Sequence, residues 1–170
     1  MGAEPADTPF WHWSLAHYGA AEQSLLRLQD EFDCDVNIIL FCCWCAEEFE
    51  ALSEKEMASA LDLARSWTDE IVQPLRSVRR SLSKTNPAES DLRGMVKNAE
   101  LSAEKILQDM LFNFANKNFA RSKNVNSAII AQQNLLRYDA HLKPPNDARV
   151  TLLKELISHI FDAAKRQEAK

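Results

Sequence analysis

The segment DVNIILFCCWC, residues 35–45, is the most hydrophobic stretch of the chain and the feature that most limits its fold. It is flanked by Asp33 on one side and by Glu47 and Glu48 on the other. A membrane-spanning helix needs about 20 apolar residues, and this run is roughly half as long, so we expect no transmembrane span. A helix that is apolar nearly all round lies in the centre of a helical bundle. The segment therefore predicts a buried central helix near residues 36–49.

The rest of the chain also favours helices. Its 170 residues contain three glycines, fewer than the tight turns of most sheet proteins need. Apolar residues recur at helical spacing, and the alternating pattern of a strand is almost absent. We therefore predict a single-domain, all-α, compact bundle of about six or seven helices over residues 9–165. Residues 1–8 are predicted to form a disordered tail and residues 166–170 a frayed one.

The boundaries of the first helices follow from local signals. Thr8 is a typical N-cap and Pro9 suits the first helical position, so a helix is predicted to begin there. Glycine commonly ends a helix, so Gly19 predicts the end of this one. A separate second helix is then expected over residues 20–32.

Later boundaries rest on caps and on one proline. Asp35 is placed to cap the central helix, and Ser53 with Glu56 forms a capping box that starts another. Pro74 interrupts an apolar stripe and predicts a kink or a new helix start, because proline lacks a backbone donor. The remaining elements are predicted to be helices over 87–114, 125–142 and 147–164 and a polar loop over 116–124.

The C-x-x-C formed by Cys42 and Cys45 has three interpretations. Plain packing is favoured, because a cysteine in apolar surroundings behaves as a small, inert hydrophobe. A redox pair is one alternative, although a redox nucleophile normally sits at a helix N-terminus. A zinc site completed by a histidine of the first helix is another, although zinc needs four ligands. We predict no metal and no cofactor, and four cysteines without a secretion signal indicate reduced thiols and a cytoplasmic location.

A ligand pocket is one hypothesis for the space between the first helix and the central helix. His12 and His17 of the first helix and Asn37 and Cys42 of the central helix are its candidate residues. Asn37 is the polar residue of an otherwise apolar segment. It either caps the helix locally or hydrogen-bonds a neighbouring helix or a ligand, and the sequence leaves these roles open.

Arg76, Arg79 and Arg80 form a basic patch on one side of a helix, and no acidic residue occurs between Glu70 and Glu89. Such a patch binds phosphate, a carboxylate or an acidic partner, or it is a solvated helix face. We predict that these three arginines contact a partner or an anion.

Trp11 and Trp13 are the other candidate contact residues. Together with Phe10 and Tyr18 they form an aromatic cluster that exceeds what one helix face can bury. Part of this cluster is expected to cover the core, and part is expected to lie at an interface.

The overall charge and the motif content restrict the classes of function. A net charge of −5 gives no general attraction to nucleic acid or to an anionic membrane. The sequence contains no glycine-rich phosphate loop, no G-x-S-x-G and no recognisable triad. These observations favour a non-enzymatic protein, without excluding an enzyme.

Four segments carry a resemblance to a known family: FWHWSLAHYG, LRLQDEFDCDVNIILFCCWCA, PLRSVRR and AELSAEK. The chain resembles a family of small proteobacterial proteins described as a conserved domain of unknown function. The likeness covers most of the chain and is most specific from Asp35 to Trp44, whereas Cys45 stands where an aliphatic residue is expected. The resemblance implies a bacterial cytosolic protein and brings no catalytic residue or cofactor.

Two functions are therefore considered. The first is a non-enzymatic helical protein that binds a protein partner, a second copy of itself included, through the three arginines and the tryptophans. The second is a small-molecule-binding or enzymatic bundle that acts on an anionic ligand, with the arginines at the mouth of the pocket.

Overall fold

The computed structural model describes residues 7–123 and 126–168, and in that part of the chain it contains helices and no strand. The predicted all-α fold is confirmed. The predicted tails fall partly on residues 1–6 and 169–170, which lie outside the described residues. The elements are α1 (Pro9–Phe32), α2 (Val36–Glu48), α3 (Glu54–Trp67), a π-helical turn (Thr68–Val72), α4 (Gln73–Ser81), α5 (Pro87–Asn118), α6 (Ser127–His141) and α7 (Asp147–Glu168).

Helix α1 is one continuous helix of 24 residues, so the predicted break at Gly19 is wrong. The backbone of Gly19 does not adopt a positive φ, and nothing lies within 4 Å of where its Cβ would be. A glycine inside a helix costs about 1 kcal/mol relative to alanine, and burial of Ala21 and Leu25 on the same helix outweighs that cost. The helix ends instead at Asp33, whose φ of 54° lies in the left-handed region.

Helix α2 is the predicted central helix. The side chain of Asp35 accepts a hydrogen bond from the backbone N–H of Asn37 at 2.8 Å and caps its first turn. Every residue from Asn37 to Ala46 is buried, and α6 is the helix packed most extensively against α2. None of the helices in the described part of the chain is long and apolar enough to cross a membrane.

The interruption predicted at Pro74 takes the form of the π-helical turn. The capping box of Ser53 and Glu56 starts α3 as predicted, and the helix then widens before the proline. In this turn the N–H of Gln73 donates to the carbonyl of Thr68, five residues earlier. Proline has no N–H and crowds the preceding turn, so a local change of winding accommodates it.

Helices α4 and α5 run antiparallel and form a hairpin. Helix α5 extends to Asn118, beyond the predicted end at residue 114. The side chains of Asn116 and Asn118 donate to the carbonyls of Phe112 and Phe114, at 3.0 and 2.8 Å. These polar residues therefore continue the helix instead of starting a loop, because their amides bond to the preceding turn.

Candidate functional site

Arg76 and Arg79, two of the three arginines predicted to contact a partner, are bound inside the α4–α5 hairpin. Arg76 is 7% exposed, and its Nε donates to Glu100 at 2.9 Å while its Nη2 donates to Glu104 at 2.7 Å. Arg79 donates to both carboxylate oxygens of Glu100. The acids of α5 therefore match the charge of both arginines, which hold α4 against α5.

The two glutamates of this network differ in their titration. Burial opposes ionisation of Glu100, but hydrogen bonds from Arg79 and Arg76 overcome it and lower the pKa of its carboxyl below the ordinary value. Burial raises the pKa of Glu104, and the attraction of Arg76 does not offset it. Glu100 is therefore firmly ionised, whereas Glu104 accepts a proton more readily than an exposed glutamate does.

Arg80, the third arginine, lies in a different environment. It is exposed, and its Nη2 donates to Asp30 of α1 at 2.6 Å. An exposed ion pair of this kind contributes about 0–1 kcal/mol. The three arginines therefore do not form one free basic surface.

The predicted aromatic contacts lie mostly within the fold. Trp11 is buried, and Trp13 is half-buried with its Nε1 donating to Glu47 at 3.0 Å. The ring of Trp13 stacks on the imidazole of His17, with the ring centroids 4.1 Å apart. His12 is exposed and lies 3.9 Å from Asp7.

Asn37 and Cys42 belong to the core. The Oδ1 of Asn37 accepts a hydrogen bond from Nε2 of Gln108 on α5 at 3.0 Å, and both side chains are buried. The thiol of Cys42 is fully buried, and its backbone carbonyl accepts from Nδ2 of Asn134 at 3.1 Å. Asn134 also accepts from the N–H of Leu52, at 2.9 Å. Gln108 and Asn134 cannot be predicted from the sequence, because each is one of several amide side chains on its helix and no local signal marks it as buried.

A cleft of about 200 Å³ lies where the end of α1, the start of α2, the π-helical turn and α6 meet. Asp35 holds three lining residues of the cleft together. Its Oδ2 accepts a hydrogen bond from the Thr68 hydroxyl at 3.0 Å, and its backbone N–H donates to the hydroxyl of Tyr138 at 2.9 Å. Arg76 is the one predicted site residue in the lining; His12, His17, Asn37 and Cys42 are absent from it. The structure therefore does not gather the predicted pocket residues around this cleft.

The basic side chains that line the cleft lie close to acidic ones. Arg76 binds the two glutamates of α5, Arg65 lies 3.7 Å from Asp62, and His141 lies 2.7 Å from Glu54. The buried guanidinium of Arg76 is already bound by two acids, so an anionic ligand in the cleft would have to compete with them for it. Burial raises the pKa of the lining thiol of Cys34 to about 12, which keeps it protonated. In the described residues no group of three or more potential ligand side chains is placed to hold a metal ion.

A largely exposed apolar surface lies on the α4–α5 hairpin and the end of the π-helical turn. We call this surface the apolar hairpin face; its residues are Ile71, Leu75, Val78, Leu92, Met95, Ala99 and Ile106. Met95 is 70% exposed and Leu92 48% exposed, and Val78 and Ile106 are similarly open. Arg76 of α4 and Glu100 of α5 face the opposite helix. The members of the apolar hairpin face lie one position before such residues, as Leu75 does before Arg76 and Ala99 before Glu100. In an antiparallel pair such positions lie on the same side of the hairpin.

Parts of α1 and α2 contact the hairpin on the side away from this face. Arg80 contacts α1 and Gln108 contacts α2, and both residues are on the side away from the apolar hairpin face. The apolar stripes of α4 and α5 are visible in the sequence, but the pattern does not say whether another element covers them. Met95, the most exposed member, is not singled out by the sequence at all.

Comparison with known proteins places the chain in a family. The family model described as Protein of unknown function (DUF2390) matches residues 9–111, which is more than half of the chain. The chain belongs to the DUF2390 family. The match in this DUF2390 protein includes both helices of the apolar hairpin face, and α6 and α7 lie outside it. The resemblance to a family of unknown function is thereby confirmed, and the proteobacterial origin stays a prediction. No curated protein and no solved structure matches this chain.

Proposed function

We propose that this DUF2390 protein is a non-enzymatic interaction protein and that its contact surface is the apolar hairpin face. The observation that carries the proposal is the exposure of large apolar side chains, Met95 and Leu92 foremost, on one side of two adjacent helices. Scattered exposed leucines need no explanation, but a contiguous apolar patch is typical of a protein contact site.

The size of the patch supports this proposal. Its seven side chains expose apolar surface on the order of 400 Å² together, which is within the range of the largest patches on soluble monomers. With its polar border the hairpin side approaches the roughly 800 Å² that one partner contributes to a standard interface.

The rigidity of the hairpin is a second support. Arg76 and Arg79 join α4 to Glu100 and Glu104 of α5 in a buried ion-pair network. Helix α5 is also anchored to α3, because the indole N–H of Trp67 donates to the carbonyl of Ala103 at 2.9 Å. A surface held in one shape loses little conformational entropy on binding, which favours association.

This proposal changes which residues are expected to make the contact. Arg76, Arg79 and Trp11 are engaged inside the fold, and Trp13 is half-buried against His17 and Glu47. Arg80 is exposed but lies on the side of the hairpin that faces α1. The proposed contact is therefore apolar and separate from the basic patch.

The test is a pair of matched surface variants. The double variant L92E/M95E places charge in the apolar hairpin face. The control L101E changes a leucine on the same helix that is 49% exposed but lies on its other side. Affinity capture from a native lysate should enrich a defined protein with wild type and with L101E but not with L92E/M95E.

The melting temperatures of the variants keep the result interpretable. Surface substitutions of this kind change stability by about 0.5 kcal/mol, so both variants should melt close to wild type. If L92E/M95E folds normally and captures the same proteins as L101E, the apolar hairpin face is not the contact surface.

A further inference from the structure

We infer that the occupant of the apolar hairpin face is a second copy of this chain, packed against it as an antiparallel four-helix bundle. The inference rests on the proposed function and names its partner. Its basis is that the spacing of the face residues is self-complementary on both helices.

On α5 the face residues are arranged evenly about Ala99. Leu92 precedes Ala99 by seven positions and Ile106 follows it by seven, so the three lie along one line of the helix. If two α5 helices pack antiparallel with Ala99 against Ala99, Leu92 of each copy meets Ile106 of the partner subunit. Met95 then lies beside Ser102 of the partner subunit, which places the longest exposed side chain next to a small one.

The apolar stripe of α4 is centred at the same height along the hairpin as the stripe of α5. Leu75 and Val78 lie on either side of the midpoint between Arg76 and Ser77. Arg76 binds Glu100, the neighbour of Ala99, so the centres of the two stripes are adjacent across the hairpin. One two-fold axis therefore relates the residues of both stripes, and Leu75 meets Val78 of the partner subunit. A closed dimer requires a surface that matches itself in this way.

The charge of the surface also favours a second copy. Two chains of net charge −5 repel each other over most of their surfaces. The apolar hairpin face itself contains no charged residue, and the charges next to it in sequence are of both signs: Asp91 before Leu92, Arg79 after Val78 and Lys105 before Ile106. A strongly acidic or basic partner would find no complementary charge on the face itself, whereas a second copy meets the least repulsion there.

Small Ala99 at the centre permits close approach of the two α5 helices. Ala99 is exposed, so its replacement does not disturb the core. The apolar area, on the order of 400 Å² per copy, is modest, so we expect a dimer that dissociates on dilution.

The experiment uses the full chain and two measurements. Sedimentation of wild type should show a dimer at high concentration, and L92E/M95E should weaken self-association at least about tenfold, with L101E unchanged. In addition, A99C should form an intermolecular disulfide rapidly when copper–phenanthroline oxidises the two thiols. L101C is the matched control and should crosslink slowly.

The outcomes separate this inference from the proposed function. Monomeric wild type at the highest soluble concentration, or equal crosslinking of A99C and L101C, overturns the second copy as occupant. If wild type is monomeric but L92E/M95E alone loses a captured protein, another protein is the occupant and the proposed function stands. If L92E/M95E changes neither self-association nor capture, both proposals fail.

Discussion

The Nε of Arg76 lies 2.9 Å from a carboxylate oxygen of Glu100, and less than a tenth of either side chain is exposed. This buried pair joins α4 to α5 at the centre of the hairpin. Glu100 receives hydrogen bonds from two arginines, whereas Glu104 receives one. The two glutamates should therefore differ in their contribution to stability.

Replacing Glu100 with glutamine should destabilise the protein more than the same change at Glu104. E100Q leaves Arg76 and Arg79 short of a buried counter-charge and should lower the free energy of unfolding by about 3 kcal/mol. E104Q should change it by less than about 1 kcal/mol, because Arg76 keeps Glu100 and burial already disfavours the charge of Glu104. Urea denaturation at pH 7 measures the free energy of unfolding of both variants. Equal losses of stability in E100Q and E104Q would contradict the unequal roles of the two glutamates.

The same pair of variants predicts how stability depends on pH. The lowered pKa of Glu100 means that its contribution is complete above the ordinary value of 4.5 and is lost as the pH falls through the folded-state pKa. As the pH falls from 4.5 to the folded-state pKa of Glu100, wild type should therefore lose stability more steeply than E100Q does. Parallel unfolding curves for the two proteins under acid conditions would show that Glu100 does not carry this dependence.

Glu104 should make stability depend on pH in the opposite direction. Its folded-state pKa is raised, so its ionisation removes stability as the pH rises above 4.5. The stability of E104Q relative to wild type should improve between about pH 4.5 and pH 7. The difference in free energy of unfolding between the two proteins, measured with denaturant across that pH interval, reports the titration of Glu104.

Asn134 should be the most sensitive polar residue of the core. Its amide satisfies the carbonyl of Cys42 and the N–H of Leu52. N134L leaves the N–H of Leu52 without this partner, whereas the carbonyl of Cys42 keeps its bond within α2, and the change should cost about 1–3 kcal/mol. The control Q133L changes the exposed neighbouring residue and should stay within about 0.5 kcal/mol of wild type. A mild effect of N134L in thermal melts would mean that water replaces the amide.

The cysteines should be inert in the folded protein. Burial raises the pKa of all four thiols, Cys42 and Cys45 among them, so almost no thiolate exists near neutral pH. A thiol reagent should react with native protein only at the rate of unfolding, and with four thiols per chain in urea. Rapid reaction of Cys42 or Cys45 without denaturant would revive the redox interpretation.

Helix boundaries could be predicted where the signal is local. The caps at Thr8, Asp35 and Ser53 each depend on contacts within about three residues, and all three are present. The break at Gly19 was predicted by the same kind of rule and is wrong, because packing of the following turns decides whether a glycine ends a helix.

The environment of polar residues could not be predicted in this way. The three arginines are clustered in sequence, but the acid that pairs with Arg76 lies 24 positions away. Asn37 has its partner Gln108 at a separation of 71 positions. The sequence therefore identifies these residues as unusual, and only the packing of the helices assigns them to the interior.

The apolar hairpin face shows a related ambiguity. A stripe such as Leu92, Ala99 and Ile106 has the same spacing whether a neighbouring helix covers it or solvent does. Its exposure becomes visible only when α1 and α2 are found on the other side of the hairpin.

The bonds from α6 to α2 have a consequence for the boundaries of the folding unit. The family match ends at residue 111, but Asn134 and Tyr138 reach back to Cys42, Leu52 and Asp35. A fragment ending at residue 111 would uncover one side of the most apolar helix and remove the side chains that accept from the N–H groups of Leu52 and Asp35. The segment by which the family is recognised is therefore shorter than the segment that folds, and a self-sufficient fragment must extend through α6.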